Sequence, residues 1–298
     1  MNKPTVPERY LGYPLLQITH RTLVKTDYTW NQDIIGTRFP KDREITGENV
    51  VISVLDTGVN PNHQALANRV IGGYDFITDS EEIYDNSGHG THVASIAIGS
   101  TIDLGVMGVA SKSKILSMKV LNKDNIGEWE NVIRGIYLSI ELGADIINMS
   151  LGAISAPSSV EQAIIEALKQ GIYIVASSGN HGSSSELYPA AYDGVISVGA
   201  SDQQDEKWIL SSGNEVDVYA PGVAVAGAFH QDNQSIAFYS GTSQAAPHVS
   251  GALALYKEVR STFDTMISDR DFTRGGIHRL NCKNIRRTDE EVFLPISY

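Results

Sequence analysis

The sequence predicts an α/β fold of three layers, with a mostly parallel central sheet and helices on both faces. Short runs rich in β-branched residues recur at residues 50–55, 115–121, 145–149, 172–176, 195–198 and 216–219. Near-continuous apolar runs of this length read as strands buried on both faces. Between them lie helical stretches at 129–142 and 159–169, closed by Gly143 and Gly171, where glycine supplies a left-handed cap. Strands alternating with helices give βαβ units and hence a parallel sheet.

Residues 1–48 are mixed in character, punctuated by Pro4, Pro7 and Pro14. Residues 50–55, VVISVL, form the first strand. Asp56-Thr57-Gly58 stand at its C-terminal end, where open parallel sheets gather catalytic groups. Residues 86–94, NSGHGTHVA, read as a loop turning into a small-residue helix, with His89 and His92 near its start. The third strand ends in Ser150-Leu151-Gly152, and the fourth leads into Ser177-Ser178-Gly179-Asn180. The last strand precedes SGTSQAAPHVSG (240–251), small residues entering a helix that runs to about residue 256. Ser243 then sits in a first helical turn, among exposed backbone N–H groups at the positive end of the dipole. Pro247 is expected in that same turn, where a missing N–H costs little. Taken alone, the stretch also reads as a serine cap. No repeat or linker breaks the chain. Residues 26–298 read as one domain behind an extension of residues 1–25, and the polar tail 261–298 carries no readable pattern.

The net charge of −12 argues against nucleic acid or an anionic membrane as partner. It suits a cationic substrate, or simply solubility. A single cysteine, Cys282, allows no internal disulfide. The first twenty residues hold no long apolar run, so neither a signal peptide nor a membrane span is read there. With Met1 as the natural start, the expected location is the cytoplasm.

Asp56, His89 and Ser243 all stand at loop-side ends of elements. A serine hydroxyl needs a base to take its proton. Histidine suits that task near neutral pH, and a carboxylate fixes the imidazole tautomer. The order Asp, His, Ser is one of three known for this constellation. The motifs VLDTG (54–58), GHGTHVAS (88–95), NMSLG (148–152), VASSGN (175–180) and SGTSQAAPHVSG (240–251) together resemble the subtilisin-like serine proteases. They cover most of residues 50–251 in the expected order, which makes the resemblance specific.

The resemblance implies the subtilisin-like three-layer fold and a peptide or protein substrate. It makes Asp56 the orienting acid, His89 the general base, Ser243 the nucleophile and Asn180 the side-chain oxyanion donor. It makes Ser150, Leu151 and Gly152 one wall of the substrate channel and Asn125, Ile126 and Gly127 the other, pairing with the peptide as an added strand. Trp129 falls where the family often carries an aromatic shaping the pocket four residues before the cut. Glu186 or Leu187 falls at the floor of the pocket for the residue before the cut. His92 reads as a buried structural residue. A metal pair of His89 and His92 lacks a third ligand at zinc spacing. The aspartic-protease reading of Asp-Thr-Gly lacks the second carboxylate motif its chemistry requires.

The chain also departs from the family pattern. The family's strong calcium site takes a carboxylate two residues after a histidine, but His63 is followed by Gln64 and Ala65. Ile102 stands where an amide oxygen usually binds. No cofactor is expected for catalysis, calcium remains open with its strong site degraded, and no other metal site is read. Gln244 replaces the methionine often found after the nucleophile. The residues ahead of Asp56 resemble the intracellular branch, where a short extension can block the cleft. The expected activity is peptide-bond hydrolysis through an acyl-enzyme. The expected role is intracellular processing, such as removing a leader from a modified peptide. General intracellular protein degradation and a silent peptide-binding protein on the same scaffold are the alternatives.

Overall fold

The computed structural model describes residues 29–37, 42, 44–101, 104–259 and 279–283, together with the backbone of residues 5–6 and 13–18. The N-terminal part contributes β1 (Thr5–Val6), β2 (Tyr13–Ile18) and helix α1 (Trp30–Ile35). Then come β3 (Val51–Asp56), β4 (Val70–Asp75), α2 (His89–Ile98), β5 (Ser100–Thr101), β6 (Val106–Met107), β7 (Lys114–Lys119) and β8 (Gly127–Glu128). They are followed by α3 (Trp129–Glu141), β9 (Ile146–Met149), α4 (Ser158–Lys169), β10 (Tyr173–Ser177), β11 (Ile196–Ser201) and β12 (Val218–Pro221). A hairpin of β13 (Val225–Ala228) and β14 (Ile236–Ser240) leads into α5 (Thr242–Glu258).

The central sheet has seven strands in the order β12-β11-β10-β9-β3-β7-β4, every pair parallel. Because strand side chains alternate in direction, each strand feeds two cores. Ile52 and Val54 of β3 join Val93, Ala97 and Val249 beneath α2 and α5. Leu55 joins Val132 and Ile136 of α3 and Ala163 of α4 on the opposite face. Ser53 also faces α3, bonded to Ser139 Oγ at 2.7 Å. The same alternation sends Asp56 to the α2 face, which is how strand periodicity delivers the carboxylate to the histidine helix. The predicted α/β architecture with helices on both faces is present.

Several elements escaped the sequence reading. β4 has the weak pattern VIGGYD, and it is a strand because Gly73 lets it approach β7: a Cβ there would lie 1.9 Å from Ser117 O. The β13–β14 hairpin is short and Gly/Ala-rich. Residues 279–283 extend the edge of the sheet, with Leu280 N donating to Tyr219 O at 3.0 Å and Leu280 and Cys282 buried beside Ile35. Among the described residues no helix is long and apolar enough to cross a membrane.

Candidate active site

Asp56 ends β3, fully buried. His89 opens α2, and its Nδ1–H donates to Asp56 Oδ1 at 2.8 Å and Oδ2 at 3.0 Å. Thr57 N donates to the same carboxylate at 2.7 Å. The two segments touch closely enough that a Cβ on Gly90 would lie 2.1 Å from Gly58 O, so only glycine fits that turn of α2.

The sequence reading missed Asp85, which knits these segments together. Its carboxylate accepts from Thr57 Oγ1 (2.9 Å), Ser87 N (2.9 Å), Gly88 N (2.8 Å), Thr91 N (2.9 Å) and Thr91 Oγ1 (2.7 Å). It therefore satisfies the orphan donors at the start of α2, as a capping signal in DNSGHG foreshadows. The flanking residues are fixed by Lys119, buried at the end of β7. Its Nζ donates to Tyr84 O at 2.8 Å and Asn86 Oδ1 at 2.9 Å, and pairs with Asp75 at 3.4 Å.

Ser243 is the second residue of α5 and is 1% exposed. Its Oγ donates to Ser150 O at 3.2 Å, and His89 Nε2 is buried with no hydrogen-bond partner among the described residues. Pro247, expected in the first turn, is instead the sixth residue of α5. It lacks the N–H that would bond to Ser243 O in a regular helix. Ser150 Oγ takes that place, donating to Ser243 O at 2.9 Å.

Asn180 follows β10. Its Oδ1 accepts from Thr242 N at 2.8 Å and Thr242 Oγ1 at 2.9 Å. These two bonds fix the amide, making Nδ2 its donating end beside the first turn of α5.

The two expected channel walls are built from opposite sides. Asn122 Oδ1 accepts from Asp124 N and Ile126 N at 2.9 and 3.0 Å. Asn125 adopts a left-handed φ of 64°, and its Oδ1 accepts from Ser87 Oγ at 2.6 Å. This turn leads into Gly127 of β8. Trp129 is buried in the α3–α4 core. Ser150-Leu151-Gly152 leave β9, and Ala153 then bridges to Tyr188. Leu187 lies between Gly152 and Gly179: a Cβ on either glycine would meet its side chain at 3.1 and 2.8 Å. Glu186 turns away from that position and packs on Gly213. Burial raises its carboxyl pKa, a Ser197 hydrogen bond opposes that, and Asp217 and Glu215 add to it.

His92 and His248 are held in structural bonds. His92 Nε2 lies 3.2 Å from Val225 O and Ala237 O, and its ring stacks on Tyr239 at 4.7 Å. Burial, aided by His89, pushes its pKa down to about 3. His248 Nδ1 donates to Gln244 O, its Nε2 accepts from Asn31 Nδ2, each at 2.8 Å, and burial lowers its pKa to about 4.

At the position that the resemblance assigns to the family's calcium, Ala65 brings no carboxylate. Its carbonyl accepts from the Arg69 guanidinium and from Ser100 N. Arg69 also donates to Ile98 O at 2.7 Å and to Ser111 O. A guanidinium and an alanine do not fit a hard dication that wants oxygen ligands. Residue 102, the other departure, lies outside the described residues. Among the described residues no group of three or more His, Cys, Asp or Glu converges.

Residues 47–272 match the Subtilase family. Subtilisin DY of Bacillus licheniformis is 40% identical over 214 residues, 70% of this chain and 77% of that protein. Thermitase of Thermoactinomyces vulgaris is 39% identical over 211 residues, 70% and 75% of the two chains. The major intracellular serine protease of Bacillus subtilis (strain 168) is 37% identical over 256 residues, 82% and 80%. A buried Asp–His pair and a serine in the opening turn of a helix accompany these matches, and the chain belongs to the subtilase family and is a subtilisin-like serine endopeptidase.

Proposed function

We propose that Ser243 is the nucleophile, His89 its general base and Asp56 the carboxylate that holds the imidazole. The observation that carries this reading is the double contact of His89 Nδ1 with Asp56, at 2.8 and 3.0 Å. That contact fixes the proton on Nδ1 and leaves Nε2 as the acceptor. Oγ attacks the scissile carbonyl while Nε2 takes the hydroxyl proton. The imidazolium, stabilised by Asp56, then returns that proton to the leaving amine. Water repeats the sequence on the acyl-enzyme. The negative oxygen formed on attack is met by Asn180 Nδ2 and the Ser243 N–H, donors held in place before the reaction begins.

The peptide runs between Asn125-Ile126-Gly127 and Ser150-Leu151-Gly152 as an added strand. Leu187 forms the floor for the side chain before the cut, whereas Trp129, buried in the core, does not line the pocket four residues earlier. A leucine between two glycines leaves a shallow floor, which favours short side chains before the cut and selective cleavage. This supports a processing role in the cytoplasm, such as leader removal from a modified peptide. General protein degradation is the second reading, favoured by similarity to an intracellular protease over 82% of this chain. A peptide-library profile separates them. Processing predicts a narrow profile rich in Ala, Ser or Gly before the cut, which Leu187→Gly broadens to larger residues. A broad wild-type profile contradicts it.

The N-terminal extension is proposed to regulate the site. β1 pairs antiparallel with Gly127 and Glu128 at one wall. β2 pairs along β14 as far as Tyr13 opposite Ser240, three residues before Ser243. Residues 7–12, including Tyr10-Leu11-Gly12 of the run expected to lie in the cleft, fall outside the described residues. A tethered segment competes at high effective concentration, so weak pairing suffices. Stability is proposed to be independent of calcium at the family's strong site. A chelator should change the melting temperature by less than about 10 °C, since each kcal/mol shifts a domain of this size only a few degrees. A larger fall contradicts that.

A further inference from the structure

Three buried polar residues, Asn148, Ser150 and Ser250, lie under the nucleophile Ser243 and are bonded to it in one chain. Ser150 and Ser243 are joined twice. Ser150 Oγ donates to Ser243 O at 2.9 Å, and Ser243 Oγ donates to Ser150 O at 3.2 Å. Ser150 Oγ accepts from Asn148 Nδ2 at 3.0 Å, and Asn148 Oδ1 accepts from Ser250 Oγ at 2.8 Å. All four residues are 1% exposed or less. A polar chain thus leaves α5 at Ser250, crosses to the end of β9, and returns to the first turn of α5. It ends on the carbonyl that Pro247 leaves without a helical partner.

This arrangement fixes the backbone of Ser243 but sends its hydroxyl proton the wrong way for catalysis. A hydroxyl has one proton. While it donates to Ser150 O it cannot donate to His89 Nε2, which is buried with no partner among the described residues. At 3.2 Å the bond is longer than the usual 2.7–2.8 Å for O–H···O, so an incoming donor can displace it. An extended peptide adding to residues 150–152 brings backbone N–H groups to the carbonyls of that wall.

We propose that Ser150 is a positioning residue that parks the Ser243 hydroxyl on its own carbonyl until a substrate N–H claims that carbonyl. The inference rests on the assignment of Ser243 as nucleophile. Binding exchanges one hydrogen bond for another: the peptide N–H donates to Ser150 O, and Ser243 Oγ–H rotates about χ1 to donate to Nε2. Ser150 Oγ stays on Ser243 O, so the backbone does not move. The proton then passes to Nε2 as Oγ bonds to the carbonyl carbon and the π electrons move to oxygen. The nucleophile is armed by the peptide it will cut, and a ligand that lacks the N–H must break the Ser243–Ser150 bond unaided, which slows its reaction without preventing it.

The test uses the full chain and two blocked tripeptide anilides, read by anilide release. One carries alanine before the anilide. The other carries lactic acid there, so that oxygen replaces the N–H. Both are assayed on the same preparation, so occupancy of the cleft by the N-terminal segment scales both alike. The lactic analogue should lose roughly fivefold or more in kcat, the scale of one net hydrogen bond. A deficit confined to KM, with kcat within about twofold, overturns the gate, because uniform binding moves KM alone. A second reading is the nitrogen NMR signal of His89 Nε2 in the full chain. An uncleavable peptide with the N–H should move it toward a hydrogen-bonded shift, and its oxygen analogue should not. Equal shifts with both peptides also overturn the gate. If the full chain cleaves neither anilide, both are assayed on the protein lacking residues 2–18, and a lack of cleavage by that folded truncation overturns the assignment of Ser243 itself.

Discussion

Asn180 is held through its oxygen, which makes Nδ2 the donating end in the proposed oxyanion role. The two bonds from Thr242 to Oδ1 fix the amide before substrate arrives, so donating to an oxyanion needs little reorganisation. Asn180→Ala should therefore lower kcat by about 100- to 1000-fold with little change in KM, the cost known for removing such a donor in a subtilisin. A change confined to KM would assign Asn180 to ground-state binding instead. Asn180, Asp56, His89 and Ser243 stand out in the sequence as candidates because each sits in a short local motif. Asp85 and Leu187 are not, because their roles depend on tertiary neighbours. Asp85 matters through Thr57, Gly88 and Thr91, and Leu187 through Gly152 and Gly179 on two other segments. The proposal of Leu187 over Glu186 rests on the Leu187 side chain meeting those glycines.

At the scale of elements, α5 combines a first turn that carries Ser243 with a buried body that holds several polar side chains. Its His248 is kept neutral by burial and by committed bonds to Gln244 and Asn31. With a folded pKa of about 4 against about 6.5 in the unfolded chain, the unfolded state binds the proton first as pH falls. Stability is intact above pH 6.5 and is lost between pH 6.5 and about 4, at about 1.4 kcal/mol per pH unit. His92, with a folded value of about 3, adds a loss of the same sign. Between pH 7 and 5 the wild type should lose about 2 kcal/mol more than His248→Gln, whose amide can still accept from Asn31. Denaturant melts at the two pH values check this, and equal losses would contradict it. The strands legible in the sequence were those with dense β-branched runs. β4 and the β13–β14 hairpin were hidden because glycine and alanine make them strands by close approach and pairing, not by propensity.

At the scale of the whole molecule, the parallel sheet gathers the C-terminal ends of β3, β9 and β10 beside the N-termini of α2 and α5. Asp56, Ser150 and Asn180 come from those strand ends or the loops after them, and His89 and Ser243 from the helix starts. The N-terminal strands pair beside this cluster, with Thr5–Val6 at β8 and Tyr13 opposite Ser240. One measurement reads both the site and its cover: the rate at which a fluorophosphonate labels the protein, followed by mapping of the adduct. Only an activated serine reacts with such a reagent. The central claim, that Ser243 is activated by His89 and Asp56, predicts a single adduct on Ser243 in the full chain. It predicts no adduct in folded Ser243→Ala and labelling at least about tenfold faster once residues 2–18 are deleted, as release from a tethered competitor requires. An unchanged rate in a folded truncation would remove the regulatory role alone. An unlabelled Ser243 in that truncation, or equal labelling of Ser243→Ala, would contradict the catalytic assignment.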